Sequence, residues 1–268
     1  MLCSYPVSVF IFSGAGLSAE SGLGTFRDQG GLWEKEDPAI VCSADSMEKH
    51  AADVYRFYNE RWLQFSRAIP NRAHYALADL EKWALGKANL HLVTQNIDSL
   101  LENAGARSVI HMHGSLAESR CLGSGKIFPF DGRYSLQKVC SCCSPGHLLR
   151  PNVVFFGEVP LYLDVIDERL RHCDVFCSIG TSGAVMPAGG FAKRATLSGC
   201  HHLIEINKEA PDNVSDFNVH LRGNATDWVP ELTKAIKAYI RGNEKAFEEL
   251  GDRAERARKE AWDEEDWF

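Results

Sequence analysis

Three groups of residues in this 268-residue chain have the types and spacing to do chemistry. Gly14-Ala15-Gly16-Leu17-Ser18-Ala19 matches G-x-G-x-x-G/A. The glycines of such a turn let the backbone approach a pyrophosphate, and a helix starting there offers unpaired N–H groups. Thr94-Gln95-Asn96-Ile97-Asp98 sets two amides beside a carboxylate, and His111-Met112-His113-Gly114 adds two imidazoles. That combination suits ribose binding and acid–base work. Each has a plainer alternative, since a glycine turn often only seats a helix on a strand, and a histidine often only hydrogen-bonds the framework. The third group is Cys121 followed by Cys140, Cys142 and Cys143. A structural zinc takes four tetrahedral ligands, often as two C-x-x-C pairs. Cys140 and Cys143 form one pair, but Ser124 stands three residues after Cys121 and breaks the other. Cys121, Cys140 and Cys143 are therefore the candidate ligands. Cys142 is an alternative source of a fourth thiolate, and a module that lost its metal but kept its cysteines is the rival reading.

The elements that must position these groups follow from hydrophobic pattern. Residues 7–12, 90–94, 175–179 and 203–206 read as strands, each running into a polar or Gly-rich loop. Helical periodicity separates them, clearest at 73–85, where Leu77, Leu80 and Trp83 share a face. Alternating strands and helices predict an α/β fold, a Rossmann-like doubly wound parallel sheet with ligands at the carboxyl ends of its strands. An ordinary dehydrogenase has a second strand ending in an acid about 20 residues after the glycine turn. Here "GLGTFRDQGGLW" follows instead, a polar loop suited to covering a ligand, which argues against hydride transfer. Residues 36–70 (helical) and 117–149 (Gly-, Ser- and Cys-rich) interrupt the rhythm and are expected to form a small subdomain. Residues 1–35, 71–116 and 150–242 then make the nucleotide-binding domain, and 243–268 a charged helical tail packing its Phe and Trp residues on the body.

Composition narrows the class. With 29 Lys+Arg against 36 Asp+Glu the net charge is −7, with 45% hydrophobic and 24% charged residues. That balance predicts a folded chain and excludes disorder or a dedicated nucleic-acid binder. Residues 1–12 lack the basic start of a signal peptide, and no apolar run approaches a membrane span of roughly 18–20 residues. The expected compartment is the reducing cytoplasm, where clustered cysteines mean metal rather than disulfides. Of nine cysteines, Cys173, Cys177 and Cys200 lie in or beside core segments, and Cys3 is unassigned.

In order along residues 8–240, "GAGLSAESGLGTFRDQGGLW", "TQNID", "HMHG", the cysteine module, "LLRPNVVFFGE" and "GTS" resemble the sirtuin family, the NAD-dependent protein-lysine deacylases. The resemblance implies NAD as cofactor, a zinc-ribbon and helical subdomain with one structural Zn, and an acyl-lysine protein or peptide entering the cleft between the two parts. In that chemistry the acyl oxygen attacks the nicotinamide-bearing ribose carbon. Nicotinamide, O-acyl-ADP-ribose and free lysine are the products. His113 would be the general base toward the ribose hydroxyls, with His111 as the alternative. Asn96 and Asp98 would position ribose and carboxamide, and Gln95 would bond the ribose. Gly14, Ala15, Gly16, Ser18 and Ala19 would lie at the phosphates with Gly180, Thr181 and Ser182. Phe26, Arg27 and Trp33 would belong to the covering loop, Asn207 to the adenosine side, and Ile97 and Ala225 to the cofactor site.

Residues 153–158 and 183–186 would be strands between which the peptide inserts, making Val154, Phe156, Gly157 and Glu158 substrate residues. Tyr58 and Arg61, three apart on one helix face, resemble the Tyr-x-x-Arg pair of the desuccinylase-type branch. A buried Arg beside a Tyr hydroxyl would clamp a terminal carboxylate, giving removal of succinyl and malonyl as well as acetyl groups. Cys42 stands where that branch usually carries Ala in the acyl pocket. The rivals are an NAD glycohydrolase or mono-ADP-ribosyltransferase using the same cleft, and a non-catalytic NAD-binding sensor.

Overall fold

The fold is that of a computed structural model, which describes residues 6–25, 36–130 and 132–265, with side chains as far as residue 260. Strand β1 (Ser8–Ser13) is buried along its whole length and leads into α1 (Ala15–Ser18). Three helices follow, α2 (Pro38–Val41), α3 (Ser46–Lys49) and α4 (Ala51–Phe65), and then α5 (Arg72–Ala84). Next come β2 (Asn89–Thr94), α6 (Leu100–Asn103), β3 (Val109–His111), β4 (Gly114–Cys121), β5 (Ile127–Pro129) and β6 (Leu149–Val153). The chain continues through α7 (Leu163–Arg171), β7 (Val175–Ile179), α8 (Phe191–Leu197), β8 (His202–Asn207) and β9 (Val219–Arg222). It closes with α9 (Ala225–Ile240) and α10 (Ala246–Glu265).

Six strands pair in parallel in the order β3-β2-β1-β7-β8-β9. This is the doubly wound order, in which two halves run outward from a central pair. Both faces are covered, so the strands alternate between two cores rather than between core and solvent. Val9, Ile11, Cys177, Ile179 and Ile204 pack with Leu77, Leu80, Leu232 and Ile236 on one face. Phe10, Phe12, Phe176 and Leu203 pack with Ile166, Leu170 and Phe191 on the other. The four core strands expected at 7–12, 90–94, 175–179 and 203–206 and the 73–85 helix are present, and Trp83 joins the first core from its edge. Cys173, Cys177 and Cys200 are buried as expected, while Cys3 lies outside the described residues.

A separate aromatic core joins α2–α4 to the segments around β4 and β6. It contains Val41, Cys42, Tyr55, Phe57, Tyr58, Leu116, Tyr134, Val153 and Phe155, with Tyr55 stacked on Tyr134 and Tyr58 on Phe155, each at 5.7 Å. In α10, Ala246, Phe247, Leu250 and Ala254 are buried, with Phe247 against His202 and Tyr239. Trp262, Trp267 and Phe268 lie outside the described side chains. No helix among the described residues is long and apolar enough to cross a membrane.

The helix after the glycine turn is a single turn, α1, followed by a 3-10 turn at Ala19–Ser21. One expectation is corrected: of residues 153–158 only Val153 lies in a strand, at the end of β6, and residues 183–186 are not a strand. Phe156 spends its N–H on Cys42 O (2.7 Å) and its carbonyl on Ala44 N (2.9 Å), a local bridge that ends β6. Residues 183–186 are turned by Gly183 (φ +71°), whose absent Cβ leaves room for Asn213.

Leu77 sits at the centre of the larger core with no exposed surface. Leu77→Ala is expected to destabilise by roughly 2–5 kcal/mol. Urea unfolding would read this as a lower midpoint at constant slope.

Candidate active site

The strand order reverses between β1 and β7, the place where doubly wound sheets open a crevice for ligands. Here the two loops meet backbone to backbone. Gly14 N–H donates to Ile179 O and Gly16 N–H to Gly180 O, each at 2.9 Å. A Cβ on Gly16 would lie 2.6 Å from Gly180 Cα, and one on Gly180 (φ +61°) would lie 2.5 Å from Gly16 Cα. Neither position has room for a side chain, and Gly180 also needs its left-handed backbone. The Ser178 and Thr181 hydroxyls share a bond of 2.8 Å, and Asn207 Nδ2 donates to Thr181 O at 2.8 Å. Residues 14–18 and 180–182 are thus brought together, with Asn207 bracing the second loop. Ala225, the first residue of α9, has its methyl buried in the larger core.

Beyond β2, Asn96 and Asp98 are buried and tied to the first loop. Asn96 Nδ2 donates to Gly14 O (3.0 Å) and to Ser18 Oγ (3.1 Å), and Asn96 N–H donates to Thr94 Oγ1 (3.0 Å). Ser18 Oγ donates to Asp98 Oδ2 (3.0 Å), while Leu100 N–H donates to Oδ1 (3.0 Å). Burial raises the Asp98 pKa above the ordinary carboxylate value in spite of these donors. Gln95 is anchored by its N–H to Ser13 O at 2.9 Å. Ile97 turns toward the aromatic core and accepts from Leu116 N–H at 2.9 Å.

The two histidines lie in opposite electrostatic settings. His111 places Nδ1 2.9 Å from Asn96 O and Nε2 2.7 Å from Glu102 Oε1. Burial alone would lower its pKa, but the bond and charge of Glu102, with the Asn96 carbonyl and Asp98, leave it raised above 6.5. For His113 burial dominates and lowers the pKa below 6.5, only partly opposed by the Gln95 carbonyl. The His113 backbone is clamped by Val154 N–H donating to its carbonyl at 2.9 Å. Gly114 (φ +78°) follows, where a Cβ would fall 2.0 Å from Asn152 O. His113 is therefore the partly buried, neutral imidazole of the pair at pH 7, and His111 the one whose cation is stabilised.

On the aromatic side, α4 carries Tyr58 and Arg61. Tyr58 is buried and donates its hydroxyl to Cys42 Sγ at 3.3 Å. Arg61 is only partly buried, its guanidinium 5.7 Å from the Phe57 ring centroid. It has no carboxylate in salt-bridge range among the described residues, and burial lowers its pKa. Val154 is partly buried, Phe156 is 48% exposed, and Gly157 (φ +90°) turns the chain. The Glu158 carboxylate faces the protein instead. It forms a bidentate pair with Arg150 (2.6 and 3.1 Å), accepts from Phe155 N–H (2.8 Å), and lies 3.6 Å from Arg120. Phe26, Arg27 and Trp33 lie outside the described residues.

The Sγ atoms of Cys121, Cys140, Cys142 and Cys143 lie within 4.8 Å of one another. Four thiolates about 2.3 Å from a tetrahedral zinc would be about 3.8 Å apart. The Cys121–Cys143 and Cys142–Cys143 sulfurs are each 3.8 Å apart. The donor set therefore fits zinc, with Cys142 supplying the fourth thiol that Ser124 does not. Ser124 retains a supporting part, its N–H donating to Cys121 Sγ (3.4 Å) and its hydroxyl lying 3.1 Å from Cys142 Sγ. Cys142 was legible as a candidate from its place in "CSCC". Its selection over a broken module required the sulfur positions. Glu102 and Arg150, which set the surroundings of His111 and Glu158, carried no local signal.

Residues 14–187 match the Sir2 family. An NAD-dependent protein deacylase of Shewanella oneidensis is 46% identical over 232 residues, covering 86% of this chain and 94% of the relative. One from Pasteurella multocida is 47% identical over 226 residues, covering 84% of this chain and 95% of the relative. Among solved structures, the crystal structure of a Sir2 homologue–NAD complex superposes with a TM-score of 0.77 at 35% identity, covering 87% of this chain and 90% of its own.

The cysteine geometry yields a metal prediction: the purified protein carries one zinc per chain. Cys142→Ser should lower its zinc affinity by about 100-fold or more, since losing a ligand costs at least as much as losing an outer partner. Competition with a chromogenic chelator measures this. Unchanged affinity would mean that Cys142 is not a ligand.

Proposed function

The chain belongs to the Sir2 family, and from that premise we propose that it is an NAD-dependent protein-lysine deacylase that removes succinyl and malonyl as well as acetyl groups. The observation that carries the reading is the joining of the Gly16–Gly180 crevice to Asn96, Asp98 and His113 at the ends of adjacent parallel strands. When bound, NAD supplies a ribose carbon that the acyl oxygen can attack as nicotinamide leaves. The loops at Gly14, Ala15, Gly16, Ser18 and Ala19 and at Gly180, Thr181 and Ser182 would hold its phosphates. Asn207 would serve the adenosine side and Gln95 the ribose. Both Nδ2 protons of Asn96 are spent on Gly14 O and Ser18 Oγ, so its amide oxygen is what remains to engage ribose or carboxamide. His113, neutral at pH 7, would take a proton from a ribose hydroxyl. The peptide would lie along Val154, Phe156 and Gly157. Glu158 would act there indirectly, by holding the segment to Arg150. The small subdomain at 36–70 and 117–149, with its zinc, would form the far wall of the cleft against the nucleotide-binding parts.

Arg61 supports the acidic-acyl preference. A guanidinium that is partly desolvated with no carboxylate partner among the described residues gains from an incoming carboxylate. Such a charge-assisted bond is worth roughly 1.5–3 kcal/mol, or about 10- to 150-fold in preference. Tyr58 would line the same pocket, with Cys42 at its floor. The net charge of −7 suits lysine-rich protein substrates better than nucleic acid.

Nicotinamide release with NAD and succinyl- or acetyl-peptides tests the reading. Arg61→Met should lower kcat/KM for the succinyl-peptide by about 10- to 150-fold and spare the acetyl-peptide. Equal loss on both would make Arg61 structural. Release without any peptide would favour the glycohydrolase alternative, and no release at all would sink the deacylase.

A second prediction separates the two histidines. A base must be neutral to act, so a lowered pKa keeps His113 competent as the pH falls. The acid limb of kcat/KM should therefore lie below pH 6.5 and vanish in His113→Ala along with the activity. A limb above 6.5 would identify His111 instead.

A further inference from the structure

The first turn of α5 contains an arrangement that the proposed chemistry does not use. Asn71 caps this helix, its Oδ1 accepting from Ala73 N–H (2.9 Å) and His74 N–H (3.4 Å). His74 answers by accepting Asn71 N–H at Nδ1 (3.2 Å), closing a reciprocal capping box. That third helical position is usually Glu or Gln. An imidazole performs the same task and keeps a second nitrogen. Because Nδ1 accepts, the proton of the neutral ring resides on Nε2. Burial lowers the His74 pKa to about 4, so the ring is neutral at pH 7. Nε2 lies 3.4 Å from Ser18 Oγ, and Asn71 Nδ2 donates to Leu17 O at 2.9 Å. The start of α5 therefore grips the last two residues of α1.

Ser18 is the hub of this contact. A hydroxyl has one proton to give and two lone pairs to receive. Ser18 receives from His74 Nε2 and Asn96 Nδ2 (3.1 Å), which leaves its proton for Asp98 Oδ2 (3.0 Å). All three capacities are used, and all within a buried cluster. If the His74 donor were lost, the Ser18 proton would be free to rotate away from Asp98. Asp98 would then lose one of its two donors among buried neighbours that leave no room for water to replace it.

We infer that Asn71 and His74 are positioning residues for the nucleotide site, orienting the Ser18 hydroxyl and through it Asn96 and Asp98. The inference rests on the proposed NAD-dependent reading but concerns residues that reading leaves without a role. It predicts that one histidine couples helix capping to cofactor binding through its two nitrogens.

The test compares His74→Leu, His74→Gln, Ser18→Ala and the double variant His74→Leu/Ser18→Ala. Gln can accept Asn71 N–H and still offer an amide proton to Ser18. His74→Leu should lower the melting temperature and, separately, weaken NAD binding by about tenfold, the effect of roughly one lost hydrogen bond. His74→Gln should recover both. In the Ser18→Ala background, His74→Leu should lower the melting temperature but cause no further loss of NAD affinity, because the link is already cut. Wild-type NAD affinity in folded His74→Leu, or full additivity of the two losses, would overturn the inference. Calorimetric titration of NAD without peptide keeps it distinct from the parent reading. NAD binding without nicotinamide release would defeat the deacylase, while leaving the positioning role to be decided by the same titrations.

Discussion

Everything at the site depends on two glycines touching. At the reversal between β1 and β7 the loops approach until Gly16 and Gly180 leave no space for a Cβ on either. That approach brings the two loops together backbone to backbone, with no side chain between them at these two positions. It also sets the distance between the halves of the sheet's carboxyl edge. Asn96 reaches Gly14 O from the neighbouring strand end, and Asn207 reaches Thr181 O from the opposite side. The two amides brace the two loops, so the polar residues depend on the same contact.

The electrostatic contrast between His111 and His113 follows from what each faces. The residues are identical and two apart. Glu102 and the Asn96 carbonyl favour the cation on His111, whereas burial favours the neutral ring on His113. Environments that push two like groups apart separate their roles without any change in chemistry. Glu158 offers a similar lesson: the Arg150 guanidinium is nearly inaccessible, so its carboxylate partner stabilises the segment next to the cleft. The cysteine cluster depends on an equivalent substitution in space, because Cys142 fills the corner that Ser124 leaves.

The sheet was legible because its strands are short apolar runs ended by glycine or polar residues, and burial on both faces makes such runs continuous. The helix 73–85 was legible from Leu77 and Leu80 at helical spacing. Of the strands expected at 153–158 and 183–186, only Val153 lies in one, at the end of β6. Phe156 shares its main-chain bonds with Cys42 and Ala44, partners more than a hundred residues away. No local pattern encodes such a pairing. Separation in the chain likewise concealed the link from His74 to Ser18, which spans 56 positions. Glu102 and Arg150 lie only nine and eight positions from His111 and Glu158, but nothing in those short spans marks the pairing.

The sequence by itself determined the residue types, and with them the family resemblance, the doubly wound sheet and the list of candidate groups for phosphate, ribose and metal. These properties reside in local pattern, where a glycine turn or an alternation of apolar residues has few foldings open to it. Tertiary structure alone decided the state and partner of each group. It made His113 the neutral imidazole, turned Glu158 toward Arg150, directed the Tyr58 hydroxyl to Cys42, and drew Cys142 into a four-sulfur cluster. Burial, charge and hydrogen-bond geometry are set by neighbours that the chain brings together only on folding.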